Sequence, residues 1–246
     1  MLVRQHNIQI DNHSNENVNN VGIKTMLFVT LLIAVPTALA YISQDHLEEA
    51  RFYISKNKHD LVQRELGEAL RFNYLNNDRI LFEYARYHLA QSQKNDRLSN
   101  LIKAESSIQQ AILMHPTEWQ YYSFYAEIAR QFGDIQKEKQ MLAKAIELNP
   151  TRSFREVALM ARHLIVDAKV EEALHMLDRY IKMYENYIKM GMFTIDPEKI
   201  YIYTELSHMY TLRSQIHTSY GNKLMAERDQ KASDHYGDEA VKGAFR

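Results

Sequence analysis

The sequence predicts an all-α fold in which helical hairpins stack into a superhelix, preceded by one transmembrane helix. The 246 residues include only seven glycines and four prolines, and no sustained alternation of apolar and polar residues indicates a strand. Two stretches repeat each other at a spacing of 34 residues, the period of a helical-hairpin repeat. The recurring residues are Ala111, Ile112 and Pro116 in the first copy and Ala145, Ile146 and Pro150 in the second.

The N-terminal 44 residues predict a disordered tail and a membrane anchor. Residues 1–22 are polar and rich in asparagine, which favours disorder. Residues 23–44 contain an uncharged run of 20 residues, 25–44, enough to span a bilayer core of about 30 Å as a helix. A signal peptide cleaved after Ala40 is the alternative, because Ala38 and Ala40 form a small-x-small cleavage pattern. The long, weakly charged tail favours a retained anchor.

Membrane orientation rests on the character of this segment. Lysine and arginine are nearly balanced on its two sides, so the positive-inside rule does not decide the topology. A membrane anchor and a signal peptide of this kind both usually send the C-terminal domain out of the cytoplasm. We therefore expect an inner-membrane protein, single-pass, with its C-terminal domain in the periplasm.

The best-formed hairpin lies in the middle of the chain. Its helices are predicted at about Glu118–Gln131 and Gln136–Leu148, with Gly133 and Asp134 permitting the tight turn between them. Pro150 ends the second helix because it lacks an N–H group. This order of turn glycine, apolar helix and terminating proline resembles a tetratricopeptide repeat (TPR). The resemblance implies a repeat domain over residues 45–240, with about five hairpins.

Two further hairpins precede this one in the prediction. The nearer pairs Ile80–Gln93 with Leu98–Met114, and about seven extra residues between its helices would form helical turns or a surface loop. The earlier pairs His46–Ser55 with Asp60–Phe72 and has Tyr74 where the repeat has proline. It would begin almost at the membrane.

Two hairpins come after it in the prediction, and the first is degenerate. It pairs Phe154–Val166 with Val170–Tyr184, and Ala168 replaces the turn glycine. Residues 187–195 are predicted as a linker, after which Asp196 and Pro197 open a helix as an N-cap and first-turn proline. Its predicted partner is Lys223–Tyr236, and residues 241–246 are predicted as a tail.

Composition and motifs argue against several functions. The 30 basic residues are balanced by 31 acidic ones, so no excess of positive charge indicates nucleic-acid binding. The chain has no cysteine for disulfides, thiolate catalysis or cysteine-based zinc sites. Its eleven histidines are scattered, and no His-Glu-x-x-His, Gly-x-Ser-x-Gly or phosphate loop occurs. We expect no enzyme, metal site or cofactor.

Candidate binding residues come from the TPR resemblance, which implies a concave groove lined by the first helix of each hairpin. Three of these helices carry Glu-x-x-Arg, whose ordinary interpretation is an ion pair worth a few tenths of a kcal/mol. The alternative is a ladder of guanidinium groups that binds the carboxylates of an acidic partner. Arg155 and Arg162 support it, because neither follows a glutamate by three residues. The three Glu-x-x-Arg pairs are Glu48/Arg51, Glu83/Arg86 and Glu127/Arg130.

Aromatic side chains supply the other candidates. Most are expected to pack between helices, but the repeat geometry turns Phe124 and Tyr201 toward the groove, where exposed aromatics make binding hot spots. His163 and His208 lie on first helices and are candidate groove contacts. The lysine and asparagine pattern by which some TPR proteins hold a C-terminal carboxylate is not evident, so a chaperone-tail ligand is not expected.

The resemblance implies a protein-binding function. We expect a membrane-anchored TPR scaffold or adaptor that holds a partner protein or peptide in its groove and assists an envelope assembly, secretion or export machine. The alternative is an accessory subunit permanently docked in a large membrane complex. Such a subunit would bury an apolar face, which we would place in the methionine- and tyrosine-rich segment 180–220.

Overall fold

In the computed structural model the described residues are entirely helical apart from their connections. The structure describes residues 13–56, 58–73, 77–192 and 196–244, with side chains described from Lys24 onward except at 27 and 196. Ten helices lie within these ranges and no strand does, which confirms the predicted all-α class. Contacts divide the chain into two compact units, and the boundary between Ile80 and Leu81 falls inside the third helix.

The first unit consists of a long helix and its partner. Helix α1, His13–Ser55, joins the predicted anchor and the predicted helix at 46–55 into one uninterrupted helix that contains Pro36. Helix α2, His59–Phe72, packs against α1, and the Ser43 hydroxyl donates to the carbonyl of Ala69 at 2.8 Å. Tyr74 lies outside the described residues.

Helix α1 is long and apolar enough to cross a membrane. The candidate span is Lys24–Ser55, by length and composition, and a signal sequence would pass the same test. The apolar side chains at its centre are exposed, among them Phe28 at 64% and Ile33 at 65%. Residues 13–22, predicted as part of the disordered tail, have a helical backbone, whereas residues 1–12 lie outside the described part.

The second unit contains four pairs of consecutive helices. The helices are α3 Asn77–Ser92, α4 Arg97–Met114, α5 Trp119–Phe132, α6 Ile135–Leu148, α7 Phe154–Val166, α8 Val170–Lys189, α9 Asp196–Ser219 and α10 Lys223–Ala244. Helix α3, which enters the unit at Leu81, is the first helix of the first pair. The two helices pack against each other in the pairs α5/α6, α7/α8 and α9/α10, and in the pair α3/α4 the His88 ring lies 3.0 Å from Asn100 Oδ1.

The hairpin turns of this unit share a left-handed residue. The backbone φ angle is 39° at Asp96, 81° at Gly133, 58° at Ala168 and 72° at Gly221, one in each turn. Positive φ brings the Cβ atom of an L-residue close to the following carbonyl oxygen, so glycine is the residue best suited to it. The degenerate repeat therefore keeps the turn geometry although it has lost the glycine.

Backbone hydrogen bonds show how closely the Ala168 turn copies the Gly133 turn. At Gly133 the N–H groups of residues 133 and 134 donate to the carbonyls of 130 and 129, at 3.0 and 2.9 Å. At Ala168 the N–H groups of residues 168 and 169 donate to the carbonyls of 165 and 164, at 3.1 and 2.8 Å. Both are Schellman caps, which satisfy the last carbonyl groups of the first helix.

The structure decides one alternative that the sequence left open, and it differs from two predicted boundaries. Most of the extra residues of the α3/α4 hairpin lengthen its helices, which have 16 and 18 residues against 14 each in α5 and α6. The predicted linker at 187–195 is wrong in its first part, because α8 continues to Lys189; residues 193–195 lie outside the described part. The predicted C-terminal tail is helical to Ala244.

The core of the second unit is continuous through its last three hairpins. Leu177, Tyr184 and Leu206 are fully buried in it, and full burial of such side chains contributes about 1.5–3 kcal/mol each. The Tyr184 hydroxyl donates to the carbonyl of Pro150 at 3.1 Å, and the rings of Phe154 and Tyr184 meet at 4.4 Å. The proline that ends one repeat is thereby tied to a later helix.

Candidate protein-binding surface

A pocket of about 340 Å³ opens on the first helices of four successive hairpins. Its size is at the lower end of ligand pockets, which span about 300–1,000 Å³. Helices α3, α5, α7 and α9 all contribute, so the pocket depends on the stacking of the repeats. The lining residues are Phe82, Trp119, Gln120, Ser123, Phe124, Glu127, Arg155, Glu156 and Tyr201.

Three residues predicted as groove residues line this pocket together. Phe124 is half-buried, and its ring meets that of Phe82 edge-on at 5.3 Å. Tyr201 is 41% exposed and its ring lies 5.8 Å from Phe154. Arg155 is exposed at the rim. The structure thus collects these three side chains from helices α5, α7 and α9 at one place.

The Glu-x-x-Arg motifs form ion pairs within their helices, as the ordinary interpretation expects. Arg51 lies 2.9 Å from Glu48 in the first unit, and Arg86 lies 3.1 Å from Glu83 in the second. Arg130 pairs with Glu127 in the same way. All three arginines are exposed, and Glu48 is exposed too, so the Glu48/Arg51 pair contributes a few tenths of a kcal/mol; Glu83 is buried and Glu127 half-buried.

Arg155 and Arg162 behave differently from each other. The expectation that Arg155 is unpaired is wrong, because its guanidinium donates to Glu127 Oε2 of the preceding first helix at 2.8 Å. Arg162 is exposed, and within the described residues it makes no hydrogen bond or ion pair. It does not line the pocket.

Glu127 is the anionic centre shared by two arginines. Burial tends to raise its pKa, but the hydrogen bond from Arg130 and the charges of Arg130 and Arg155 together hold the pKa below the ordinary glutamate value. The carboxylate is therefore ionised at neutral pH. It neutralises the charge that Arg155 would otherwise offer to a ligand.

Glu156 is the pocket residue that the sequence did not suggest. It is 3% exposed, and its Oε1 accepts a hydrogen bond from the Ser123 hydroxyl of the neighbouring first helix. Its Oε2 is buried and has no hydrogen-bond partner in the described part of the chain. A buried, unsatisfied carboxylate oxygen costs free energy, so a hydrogen-bond donor that reached it would stabilise the site.

Glu205 adds a second buried carboxyl group on α9. It is 8% exposed, and burial raises its pKa, an effect that the nearby His208 and Arg155 oppose and the like charge of Glu156 reinforces. His208 lies 3.5 Å from Glu205 and is itself exposed, while His163 approaches Glu138 of α6 at 3.3 Å. Neither histidine lines the pocket.

The tyrosines of segment 180–220 lie largely inside the fold. Tyr180, Tyr184 and Tyr210 are all less than 8% exposed and belong to the core. The Tyr210 hydroxyl donates to Glu185 at 2.6 Å, and burial together with this hydrogen bond raises the pKa of the phenol. These three tyrosines of the segment are used for internal packing, whereas Met190, Met192, Tyr201 and Tyr220 are exposed.

One group in the first unit has the composition of a metal site. His46, Glu49 and Glu65 bring potential ligand atoms within 4.8 Å of one another. The Glu65 carboxylate is already occupied, by the His46 ring at 2.7 Å and by Arg64 at 2.9 Å. This arrangement fits an ion pair with a hydrogen-bonded imidazole better than a metal centre.

The fold of the chain is similar to that of MamA. One crystal structure of MamA matches with a TM-score of 0.55 at 13% sequence identity, over 78% of this chain and 96% of the MamA chain. A second matches with a TM-score of 0.55 at 14% identity, over 82% and 94%. No protein-family model and no curated protein matches the sequence. At this identity the likeness concerns the fold, which is TPR-like and all-helical.

Proposed function

We propose that this chain is a TPR-like scaffold that binds a partner protein through the face carrying the α3/α5/α7/α9 pocket. The observation that carries the proposal is the pocket itself, which four helices build and three of them line with half-buried and exposed aromatic side chains. Trp119 and Tyr201 have the chemistry of interface hot spots, with large apolar surface and a polar end. A pocket of this size suits one or two side chains of a partner.

The finer role that we propose is that of a membrane-anchored adaptor. Residues 25–44 would hold the chain in the inner membrane, with the repeats in the periplasm, where they would assist an envelope assembly, secretion or export machine. Exposed apolar side chains along the candidate span support anchoring. Confinement to a membrane raises the effective concentration of the binding face near membrane-bound partners. The burial of Tyr180, Tyr184 and Tyr210 in the core supports the adaptor over the docked subunit.

Site-specific photocrosslinking tests the binding face. A photoreactive phenylalanine analogue at Phe124 should yield a discrete crosslinked partner in cells, whereas the same analogue at Phe132 should not. Phe132 is a matched control, because it is an exposed phenylalanine on the same helix and does not line the pocket. Equal adducts at the two positions, or none at Phe124, would refute the proposed face.

Anchoring is tested on the same chain by fractionation. We expect it to remain with membranes after extraction at alkaline pH, and a cysteine introduced at exposed Glu147 should react with a membrane-impermeant thiol reagent in intact spheroplasts. The native chain has no cysteine, so the label reports this position alone. Release by alkali would contradict the anchor, and protection of the cysteine in intact but not lysed spheroplasts would contradict the orientation.

A further inference from the structure

The pocket is richer in acidic than in basic groups. Its lining contains two carboxylates, Glu127 and Glu156, and one guanidinium, Arg155. Two further groups flank the lining: Arg130 pairs with Glu127, and Glu205 is a buried carboxyl group whose pKa is raised by burial. Arg130 and Arg155 already share the Glu127 carboxylate, whereas Glu156 makes no ion pair within the described residues.

The walls of the pocket suit a cation on an apolar stem. Phe82, Trp119, Phe124 and Tyr201 surround it from three helices. Aromatic faces attract ammonium and guanidinium groups, by about 0.5–1 kcal/mol at exposed sites and about 2 kcal/mol or more when the cation is desolvated. The methylene stem of a lysine or arginine side chain would pack on the same rings.

Glu156 supplies the charge that such a ligand needs. Its carboxylate is 3% exposed on the pocket wall, and Oε2 has no hydrogen-bond partner in the described residues. An attraction between opposite charges is stronger in this poorly hydrated setting than in water. An acidic side chain would instead meet a like charge at the same place.

We propose that the pocket receives a lysine or arginine side chain of the partner protein, with its cationic end facing Glu156 and its stem against the aromatic walls. This inference rests on the proposed function and specifies the chemistry of the partner at that site. It reverses the acidic partner expected from the arginines. An acidic contact stays a prediction for Arg162, which lies outside the pocket.

Trp119 makes the test direct, because it is the only tryptophan of the chain and lines the pocket. The full-length protein in mild detergent is titrated with blocked tripeptides Ala-Xaa-Ala, in which Xaa is lysine, arginine, norleucine or glutamate. Lysine and arginine peptides should change the fluorescence saturably. Norleucine, which keeps the stem without the charge, and glutamate should bind at least about tenfold more weakly.

Two variants test whether the preference for the lysine peptide depends on Glu156. Glu156→Gln should bring the affinity of the lysine peptide down to that of the norleucine peptide, whereas Glu147→Gln, at an exposed acid of α6, should leave it unchanged. Tighter binding of the glutamate peptide, equal binding of lysine and norleucine, or no fluorescence change with any peptide would overturn the inference. The lysine and norleucine comparison uses the unaltered protein, so it decides the question even if Glu156→Gln does not fold.

The two proposals fail separately. If the partner crosslinks at Phe124 but the pocket does not prefer lysine, the binding face stands and the basic ligand is wrong. If the pocket prefers lysine but no partner crosslinks at Phe124, the charge preference stands and the scaffold role of this face is wrong.

Discussion

Ala168→Gly should stabilise the protein, although most glycine substitutions in helical proteins destabilise. Ala168 has a φ angle of 58°, in the same Schellman turn that Gly133 forms at 81°. A left-handed conformation costs an L-residue about 1–2 kcal/mol. Glycine removes that strain but loses about 0.4–1 kcal/mol through greater freedom of the unfolded chain. The expected net gain is about 0.5–1 kcal/mol.

Urea unfolding of the full-length protein, followed by Trp119 fluorescence, measures this gain in the unit that contains the turn. Two control substitutions, both expected to lower the free energy of unfolding, show whether the effect of Ala168→Gly has the opposite sign. Ala143→Gly, at an exposed position inside α6, should lose about 1 kcal/mol, because glycine is a poor helix former. Gly133→Ala should also destabilise, although an added Cβ would meet nothing within 4 Å, because its φ angle alone opposes alanine. If Ala168→Gly destabilised as much as Ala143→Gly, the strain argument would be refuted.

Two further predictions concern buried charge. Arg213 donates to Asp229 at 2.7 Å and to Asp178 at 2.6 Å. The substitution Arg213→Leu leaves the buried Asp229 without its guanidinium partner and should lower the free energy of unfolding by about 3 kcal/mol, measured by urea unfolding followed by circular dichroism. Adding Asp229→Leu should restore much of this loss. Burial opposes ionisation of Glu65, but hydrogen bonds from Arg64 and from His46 hold its pKa below the ordinary value. The ionised Glu65 carboxylate therefore stabilises the fold at neutral pH, and this stabilisation is lost as the pH falls below about 4.3, the ordinary glutamate pKa, and through the lowered pKa of the folded state. Hydrogen exchange in α2 should show this loss in the native protein and a smaller one in Glu65→Gln; an equal loss would contradict the assignment.

Local signals predicted the helix boundaries well where they exist. The bounds of α7 agree with the prediction, because Pro150 precedes the helix and Ala168 stands at the turn after it. The end of α8 was missed, since no glycine or proline occurs between Tyr184 and Gly191 and the helix continues to Lys189. The continuity of α1 has the same cause, because no glycine or proline separates the apolar segment from the predicted helix at 46–55.

The repeat register predicted which residues of the candidate site lie on first helices, but not which of them contact one another. The register placed Phe124 and Tyr201 on first helices, and both line the pocket. The prediction for each arginine considered only a glutamate three residues before it. It therefore missed the pair between Arg155 and Glu127, which lies 28 residues earlier on the preceding first helix. A search near one repeat period of 34 residues would have found the Ser123 contact of Glu156 at 33 residues, but not the Arg155 pair at 28 residues.

This distinction between repeated and single residues bears on specificity. Glu-x-x-Arg recurs on three first helices, and each copy is satisfied within its own helix, so the repeated motif stabilises helices and leaves little charge for a ligand. Trp119 and Glu156 occur in one repeat each, and they meet in the pocket only because the hairpins stack. Repetition specifies the scaffold, since every hairpin must pack on the next. On the proposed function, the choice of partner depends on residues that the repeat does not require, among them the aromatic and acidic residues of the pocket.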